Sequence, residues 1–203
     1  MSAKKMPYGM GAIPDPEDDR DFAYSDLAGV ERVRRRVLTL PPVINNRALC
    51  TPVFFQGNEG SCVGMAMAGI AAFFYWKKLG NPPGFSPRAA YEWAKRYDTM
   101  KGEDYEGTTL RAGMKAWHRM GMCPGPRWPY KDGDPGGKDP QAEKRARGYP
   151  LWRYEKVEGL MAVRHAVHKW GAICVTIAVH TGWIEPRAGK IVYRSTYRRR
   201  NRG

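Results

Sequence analysis

The stretch Gln56-Gly57-Asn58-Glu59-Gly60-Ser61-Cys62 decides how this chain is expected to fold, because it joins a glycine-rich turn to a long apolar segment. Ser61 belongs to the residue types that cap helices, so the pattern predicts a helix with Cys62 in its first turn. The helix should run from Val63 to Lys78, with cations in its last turn and Gly80 as its stop. Its body is apolar on every side, which predicts a central position in the fold.

The same stretch places a thiol where it can act as a nucleophile. The unpaired N–H groups and the dipole at a helix N-terminus favour the thiolate form of a cysteine, and Cys62 is expected there. These N–H groups can also stabilise an oxyanion on a substrate carbonyl. The side-chain amide of Gln56, six residues upstream, is a suitable second donor. The alternative is a loop that only precedes a buried helix, with Cys62 as a small core residue.

This motif resembles the nucleophile segment of the papain family of cysteine peptidases, in which the glutamine helps to form the oxyanion hole and the cysteine is the nucleophile. Gln56 and Cys62 match these residues in type and spacing. The resemblance covers nearly the whole chain and is closest to bacterial and phage-type members without a long propeptide. It is carried by Tyr8-Gly9, residues 18–24, Pro52-Val53, Phe85-Ser86-Pro87 with Tyr91, residues 106–111, 121–124 and 128–130, and the segment after Gly171.

The resemblance implies a function and a set of site residues. The chain is expected to be a cysteine-type peptidase that hydrolyses peptide bonds, with a peptide or protein as substrate. Cys62 would be the nucleophile and Gln56 an oxyanion donor. Four residues are expected to bind substrate, namely Gly60, Ser61, Gly107 and Thr108.

Two features depart from the family pattern. Many papain-like enzymes have a disulfide-forming cysteine three residues before the nucleophile, where this chain has Glu59. The family's histidine follows the cysteine by roughly 130 to 150 residues, and an asparagine comes later. Only 141 residues follow Cys62 here, so the resemblance implies that the C-terminal histidine and asparagine segment is missing.

A general base must then come from a missing segment, from a partner, or from one of four histidines. His180 ends a predicted strand and is the best local candidate, although it lies one hairpin earlier than the family's histidine. The other three, His118, His165 and His168, fall on predicted helices, where a histidine is usually just solvated.

The remaining pattern favours an α+β fold, with helices first and strands last. Helices are predicted from Ser86-Pro87 to near Asp98, from Thr108 or Thr109 to Met120, and from Leu160 to Trp170; strands are predicted at 173–179 and 191–197, and mostly loop at 123–150. The resemblance implies a papain-like cysteine proteinase fold with a helical half at about 41–150. An incomplete antiparallel sheet or barrel half would occupy about 151–203, and residues 1–40 would form an extended N-terminal arm.

Composition limits the other possibilities. The net charge is +14, and arginine and lysine cluster at 32–36, 144–147 and 194–202. Such clusters can bind nucleic acid or another polyanion, although they also suit the solvated surface of a basic protein, and no nucleic-acid motif is present. Without a CxxC pair or zinc-finger spacing, we expect no metal site and no cofactor. The four cysteines are expected to be free thiols.

No apolar segment is long enough to suggest a membrane protein. The longest uncharged run, residues 60–76, is shorter than the roughly 20 residues that span a bilayer, and the N-terminus has no signal-type stretch. A cytoplasmic or virion location is therefore expected. The alternative function is a catalytically inactive papain-like structural or binding component of a larger assembly such as a virion. A third is a polyanion-binding protein that uses the basic clusters.

Overall fold

The computed structural model describes residues 10–24, 40–50, 53–81, 83–100, 106–184, 188 and 190–191. In chain order the elements are β1 (Ala12–Ile13), α1 (Cys62–Leu79), α2 (Pro87–Lys95), β2 (Thr108–Thr109), α3 (Leu110–Met120), α4 (Ala142–Ala146), α5 (Leu160–Trp170) and α6 (Thr181–Ile184). Two short 3-10 turns, Arg47–Leu49 and Gly125–Arg127, lie between them.

Helix α1 is the central element, as the sequence predicts. Its residues form most of the largest core cluster, together with Phe85, Trp117 and Met122. Small residues let the neighbouring helices approach closely: a Cβ on Gly64 would lie 2.5 Å from the carbonyl oxygen of Pro87 at the start of α2. The helix ends at Gly80, which has φ +75° and donates its N–H to the carbonyl of Trp76.

The other predicted helices are present with small differences at their ends. Helix α2 is capped by Ser86 Oγ, which accepts the N–H of Ala89, and it ends at Lys95 rather than near Asp98. Helix α3 is capped by Thr109 Oγ1, which accepts the N–H of Ala112 at 3.1 Å. Helix α5 has the predicted bounds. Helix α4 falls in the region predicted to be mostly loop, and α6 was not predicted.

The described part of the N-terminal arm pairs with the body of the protein. Strand β1 runs parallel to β2, with Ala12 opposite Thr108 and Ile13 opposite Thr109. Further along, Tyr24 is buried with Ala162 and Ala166 of α5. The arm is therefore held against β2 and α5, and an ion pair between Asp21 and Arg111 also holds it against α3.

The prediction of a strand at 173–179 is wrong, because this segment contains no strand in the structure. Two of its alternating apolar residues, Val175 and Ile177, are 60% and 50% exposed. A strand requires backbone partners, and the only sheet among the described residues is the parallel pair β1 and β2. The antiparallel half is thus not seen in the described residues. Of the second predicted strand, 191–197, only Ile191 lies within them.

An apolar cavity of about 740 Å³ lies between helices α1, α3 and α5 and the segments 150–157 and 172–176. Its walls include Ile70 and Phe74 of α1 and Met114 of α3. Neither Cys62 nor Gln56 lines it, so the cavity is separate from the site described below. The helices in the part of the chain that the structure describes lack the length and hydropathy of a membrane-spanning segment.

Candidate active site

Cys62 is the first residue of α1, where the sequence places it. Its side chain is partly buried and packs against the core cluster around that helix. The prediction that the Ser61 side chain caps the helix is wrong. Ser61 occupies the cap position and is buried, but its hydroxyl makes no capping hydrogen bond and instead lies 2.7 Å from the hydroxyl of Tyr130. The N-terminal N–H groups of α1 are therefore not covered by this side chain.

Gln56 is held on the loop that leads to α1. Its Nε2 donates a hydrogen bond to the carbonyl oxygen of Glu59 at 3.0 Å, and its own carbonyl accepts one from the Tyr130 hydroxyl at 2.7 Å. Gly57, the residue after Gln56, has φ +70°, a conformation that favours glycine. Both the backbone and the amide of Gln56 are thus fixed by hydrogen bonds within this part of the molecule.

The Asp132 carboxylate binds backbone N–H groups in the turn of this loop. It accepts the backbone N–H of Asn58 at 3.0 Å and that of Glu59 at 3.0 Å. A Cβ at Gly57 would lie 2.1 Å from the same carboxylate, so a side chain there would displace it. The hydrogen bond from the Asn58 backbone is the largest cause of a lowered pKa for Asp132, because it stabilises the ionised carboxylate.

Glu59 stands where many papain-like enzymes have a disulfide cysteine, and here it forms a buried ion pair. Its two carboxylate oxygens lie 2.6 and 2.7 Å from the two terminal nitrogens of Arg88 on α2. The Arg88 side chain is 0% exposed. Sequence analysis found only the absent cysteine. The available signal was an arginine in the otherwise apolar start of α2, matched by a lone acid in the loop before Cys62.

The structure brings together Gly60 and Gly107, two of the residues expected to bind substrate. A Cβ on Gly60 would lie 3.2 Å from the backbone nitrogen of Gly107, and both glycines lie against Gly11 of the N-terminal arm. Thr108 is fully buried, and its hydroxyl donates to Asp98 at 2.9 Å. Its backbone N–H donates to the Gly11 carbonyl at 2.8 Å.

The four histidines occupy different surroundings. His180 immediately precedes α6, and its Nδ1 accepts the backbone N–H of Gly182 at 3.1 Å. In the neutral ring this bond places the proton on Nε2. His118 Nδ1 lies 2.7 Å from the carbonyl of Leu151, and His165 Nδ1 lies 3.0 Å from the Tyr24 hydroxyl. His168, on α5, is exposed.

All four cysteines are free thiols. Burial raises the pKa of Cys123 to about 11 and that of Cys174 to about 12, which leaves little thiolate at either residue near neutral pH. Cys50 is exposed. Among the described residues, no group of three or more His, Cys, Asp or Glu side chains is placed to hold a metal ion.

Only the middle basic cluster falls within the described residues. Lys144 and Arg145 of α4 and the following Arg147 are exposed. The arginines at 32–36 and at 194–202 lie outside the described residues.

No protein-family model and no curated protein matches this sequence. Among solved structures, the chain is similar to xylellain, a cysteine protease from Xylella fastidiosa, with a TM-score of 0.65 and 26% sequence identity. The match covers 83% of this chain and 66% of that chain, so this chain spans just under two thirds of that protein's length. The chain therefore has the α+β, papain-like cysteine protease fold that the motif predicted, and its likeness at the family level is to cysteine peptidases.

Proposed function

We propose that this chain is a papain-like cysteine peptidase in which Cys62 attacks the carbonyl carbon of a peptide bond. The observation that carries the proposal is the position of Cys62 as the first residue of α1, with the amide of Gln56 held on the loop before it. The similarity to a cysteine protease supports the same chemistry. A peptide or protein is the proposed substrate.

In the proposed first step, the Cys62 sulfur forms a bond to the carbonyl carbon while the carbonyl π electrons move to oxygen. The resulting oxyanion would accept hydrogen bonds from the Gln56 amide and from the backbone N–H of Cys62. Collapse of this intermediate expels the amine, which takes up a proton, and leaves a thioester on Cys62. Water then hydrolyses the thioester and releases the acid and the free thiol.

Proton transfer in this scheme requires a general base. His180 is the local candidate from the sequence, although the strand that was predicted to precede it is absent from the structure and its Nδ1 accepts the N–H of Gly182. To act as the base, that nitrogen would have to exchange this bond for one with the Cys62 thiol. If His180 is the base, His180→Gln lowers kcat/KM for a peptide substrate by about a hundredfold or more. An unchanged kcat/KM would assign proton transfer to another group.

The proposed function is tested by labelling with a peptidyl epoxide near neutral pH, followed by mass spectrometry of the modified peptides. Cys50 provides an internal comparison, because it is exposed whereas Cys62 is partly buried. We expect the epoxide to modify Cys62 first. Cys62→Ser should abolish both this labelling and the hydrolysis of a fluorogenic peptide, and Cys50→Ser should leave both unchanged.

The opposite order of labelling would contradict the proposed function. Labelling that follows exposure, with Cys50 modified before Cys62, would show that the thiol at the start of α1 is not activated. Together with an absence of Cys62-dependent hydrolysis, it would favour the inactive structural or binding component. A bacterial or phage origin and a cytoplasmic or virion location stay predictions from the sequence.

A further inference from the structure

The hydroxyl of Tyr130 contacts three positions of the loop that carries the candidate nucleophile. Its oxygen lies 2.7 Å from the Gln56 carbonyl oxygen, 2.7 Å from Ser61 Oγ and 2.8 Å from Glu59 Oε2. The two oxygen acceptors on Gln56 and Glu59 compete for its one proton, while Ser61 can donate to its lone pair. One phenol oxygen therefore connects residues at both ends of the loop.

Tyr130 keeps this proton over the whole physiological pH range. Burial and the hydrogen bond to Glu59 raise its pKa to about 12, although the hydrogen bond with Ser61 acts in the opposite direction. The phenol is therefore a neutral donor whenever the peptidase site would operate.

Arg88 supports the same loop from α2. Besides its two bonds to Glu59, its Nη2 donates to the carbonyl of Lys131 at 2.5 Å, and its guanidinium lies 4.8 Å from the centre of the Tyr130 ring. A planar, always charged guanidinium suits this combination of a carboxylate fork and an aromatic face. Arg88 thus connects α2 to the loop before Cys62 and to the segment that contains Tyr130.

These contacts continue to the proposed oxyanion donor. Arg88 and Tyr130 hold the carboxylate of Glu59, and the carbonyl of the same Glu59 accepts the hydrogen bond that orients the Gln56 amide. A buried ion pair is weak evidence for stability, because the cost of desolvating both ions can exceed their attraction. Arg88 Nε is also buried without a hydrogen-bond partner, which adds to the cost.

We propose that Tyr130 and Arg88 are positioning residues of the peptidase site, and that they act through Glu59 on the Gln56 amide and on the backbone before Cys62. The inference rests on the proposed function. A shift of a catalytic donor by about 1 Å can cost about a hundredfold in rate. Loss of a contact that Tyr130 or Arg88 makes with Glu59 should therefore lower kcat by about ten- to a hundredfold, with little effect on KM.

Two pairs of variants test the proposal in the full chain. Tyr130→Phe removes the hydroxyl and keeps the ring, and its control is Tyr75→Phe, which removes a part-buried hydroxyl that donates to the Pro150 carbonyl at 3.0 Å. Glu59→Gln removes the charge that faces Arg88. Its control is Glu143→Gln, which removes a carboxylate of α4 that pairs with Lys138 at 2.6 Å.

The measurements separate positioning from general stability. We expect Tyr130→Phe and Glu59→Gln to lower kcat and to weaken binding of a peptide aldehyde by similar factors, because the aldehyde adduct carries an oxyanion-like oxygen. The rate at which iodoacetamide alkylates Cys62 should change by less than about twofold, since this reaction needs no oxyanion donor. Both control variants should remain within about twofold of wild type in every measurement.

The outcomes distinguish this inference from the proposed function. If the wild type hydrolyses peptides but Tyr130→Phe and Glu59→Gln match their controls, the positioning role is overturned and the peptidase function stands. If the wild type shows neither Cys62-dependent hydrolysis nor aldehyde binding, both are overturned. Should either variant fail to fold, Arg88→Lys, which keeps the charge and loses the fork, is judged by the same fall in kcat.

Discussion

Gly11 of the N-terminal arm lies directly against Gly60, two residues before Cys62. A Cβ on Gly11 would lie 1.7 Å from the Gly60 carbonyl oxygen and 2.3 Å from its carbonyl carbon. Real side chains do not reach such distances, so the two backbones can meet only because residue 11 is glycine. A Cβ on Gly60 would also be tight, at 3.1 Å from Gly11 Cα. The arm is thereby packed against the loop that carries the proposed nucleophile.

Gly11→Ala should therefore destabilise the protein, because β1 must move away from Gly60 and from its pairing with β2. We expect the free energy of unfolding to fall by about 1–3 kcal/mol, as for other overpacked sites. Denaturant unfolding measures the change. Gly137→Ala is the matched control, since a Cβ there meets nothing within 4 Å. Equal midpoints for the two variants would contradict this account of the contact.

Two glycines of α1 should respond in opposite directions to alanine. Gly64→Ala places a Cβ 2.7 Å from Tyr91 Cβ and 2.5 Å from the Pro87 carbonyl oxygen, so it should cost about 1–3 kcal/mol by forcing α1 and α2 apart. Gly69→Ala meets nothing within 4 Å and should stabilise the helix by about 0.5–1 kcal/mol. Thermal unfolding of both variants shows whether each one is stabilised or destabilised. Destabilisation by Gly69→Ala would contradict the prediction for that position.

Asp132, which binds the loop before Cys62, should make the stability of the protein depend on pH. Its pKa is lowered in the folded protein, so its contribution is present above the unfolded value of about 3.9 and is lost as the pH falls through the folded value. Asp132→Asn should therefore be less stable than wild type near neutrality, and the difference should disappear in acid. Melting temperatures from pH 2 to 7 test this, with the exposed Asp19→Asn as control. A difference that persists below the folded pKa would contradict it.

The cysteines should differ in their reaction with a small disulfide reagent at pH 8. Cys123 and Cys174 have pKa values raised to about 11 and about 12, so no more than about 0.1% of either thiol is ionised. Exposed Cys50 should react in the fast phase together with Cys62, the thiol that the proposed function activates, and Cys50→Ser should reduce this phase from two thiols to one. Raising the pH to 10 should accelerate the slow residues, and modification of Cys174 as fast as Cys50 would refute the assignment.

The helices could be predicted from sequence because their signals are local. Gly80 and Gly171 stop α1 and α5 where the apolar runs end, and Ser86 and Thr109 cap the helices that follow them. The position of Cys62 in the first turn of α1 was predicted from the same kind of local signal. Such signals lie within a few residues of the feature that they predict.

The contacts that hold the site could not be predicted in this way. Ser61 has the sequence of a cap, yet Tyr130, 69 residues later, engages its hydroxyl. The Glu59 and Arg88 pair joins positions 29 residues apart. Likewise, the alternation at 173–179 describes a side-chain pattern suited to a strand, but a strand also needs backbone partners, which the local sequence does not specify.

The Glu59–Arg88 pair has a consequence for the conditions under which the site can work. A cysteine nucleophile must stay reduced, whereas a disulfide that braced the same loop would have to stay oxidised. Here the contact that holds the loop contains no sulfur, so a strong reductant can keep the Cys62 thiol reduced without loosening the loop before it. Reducing agents should therefore act on this protein in one direction only, as protectors of its thiol.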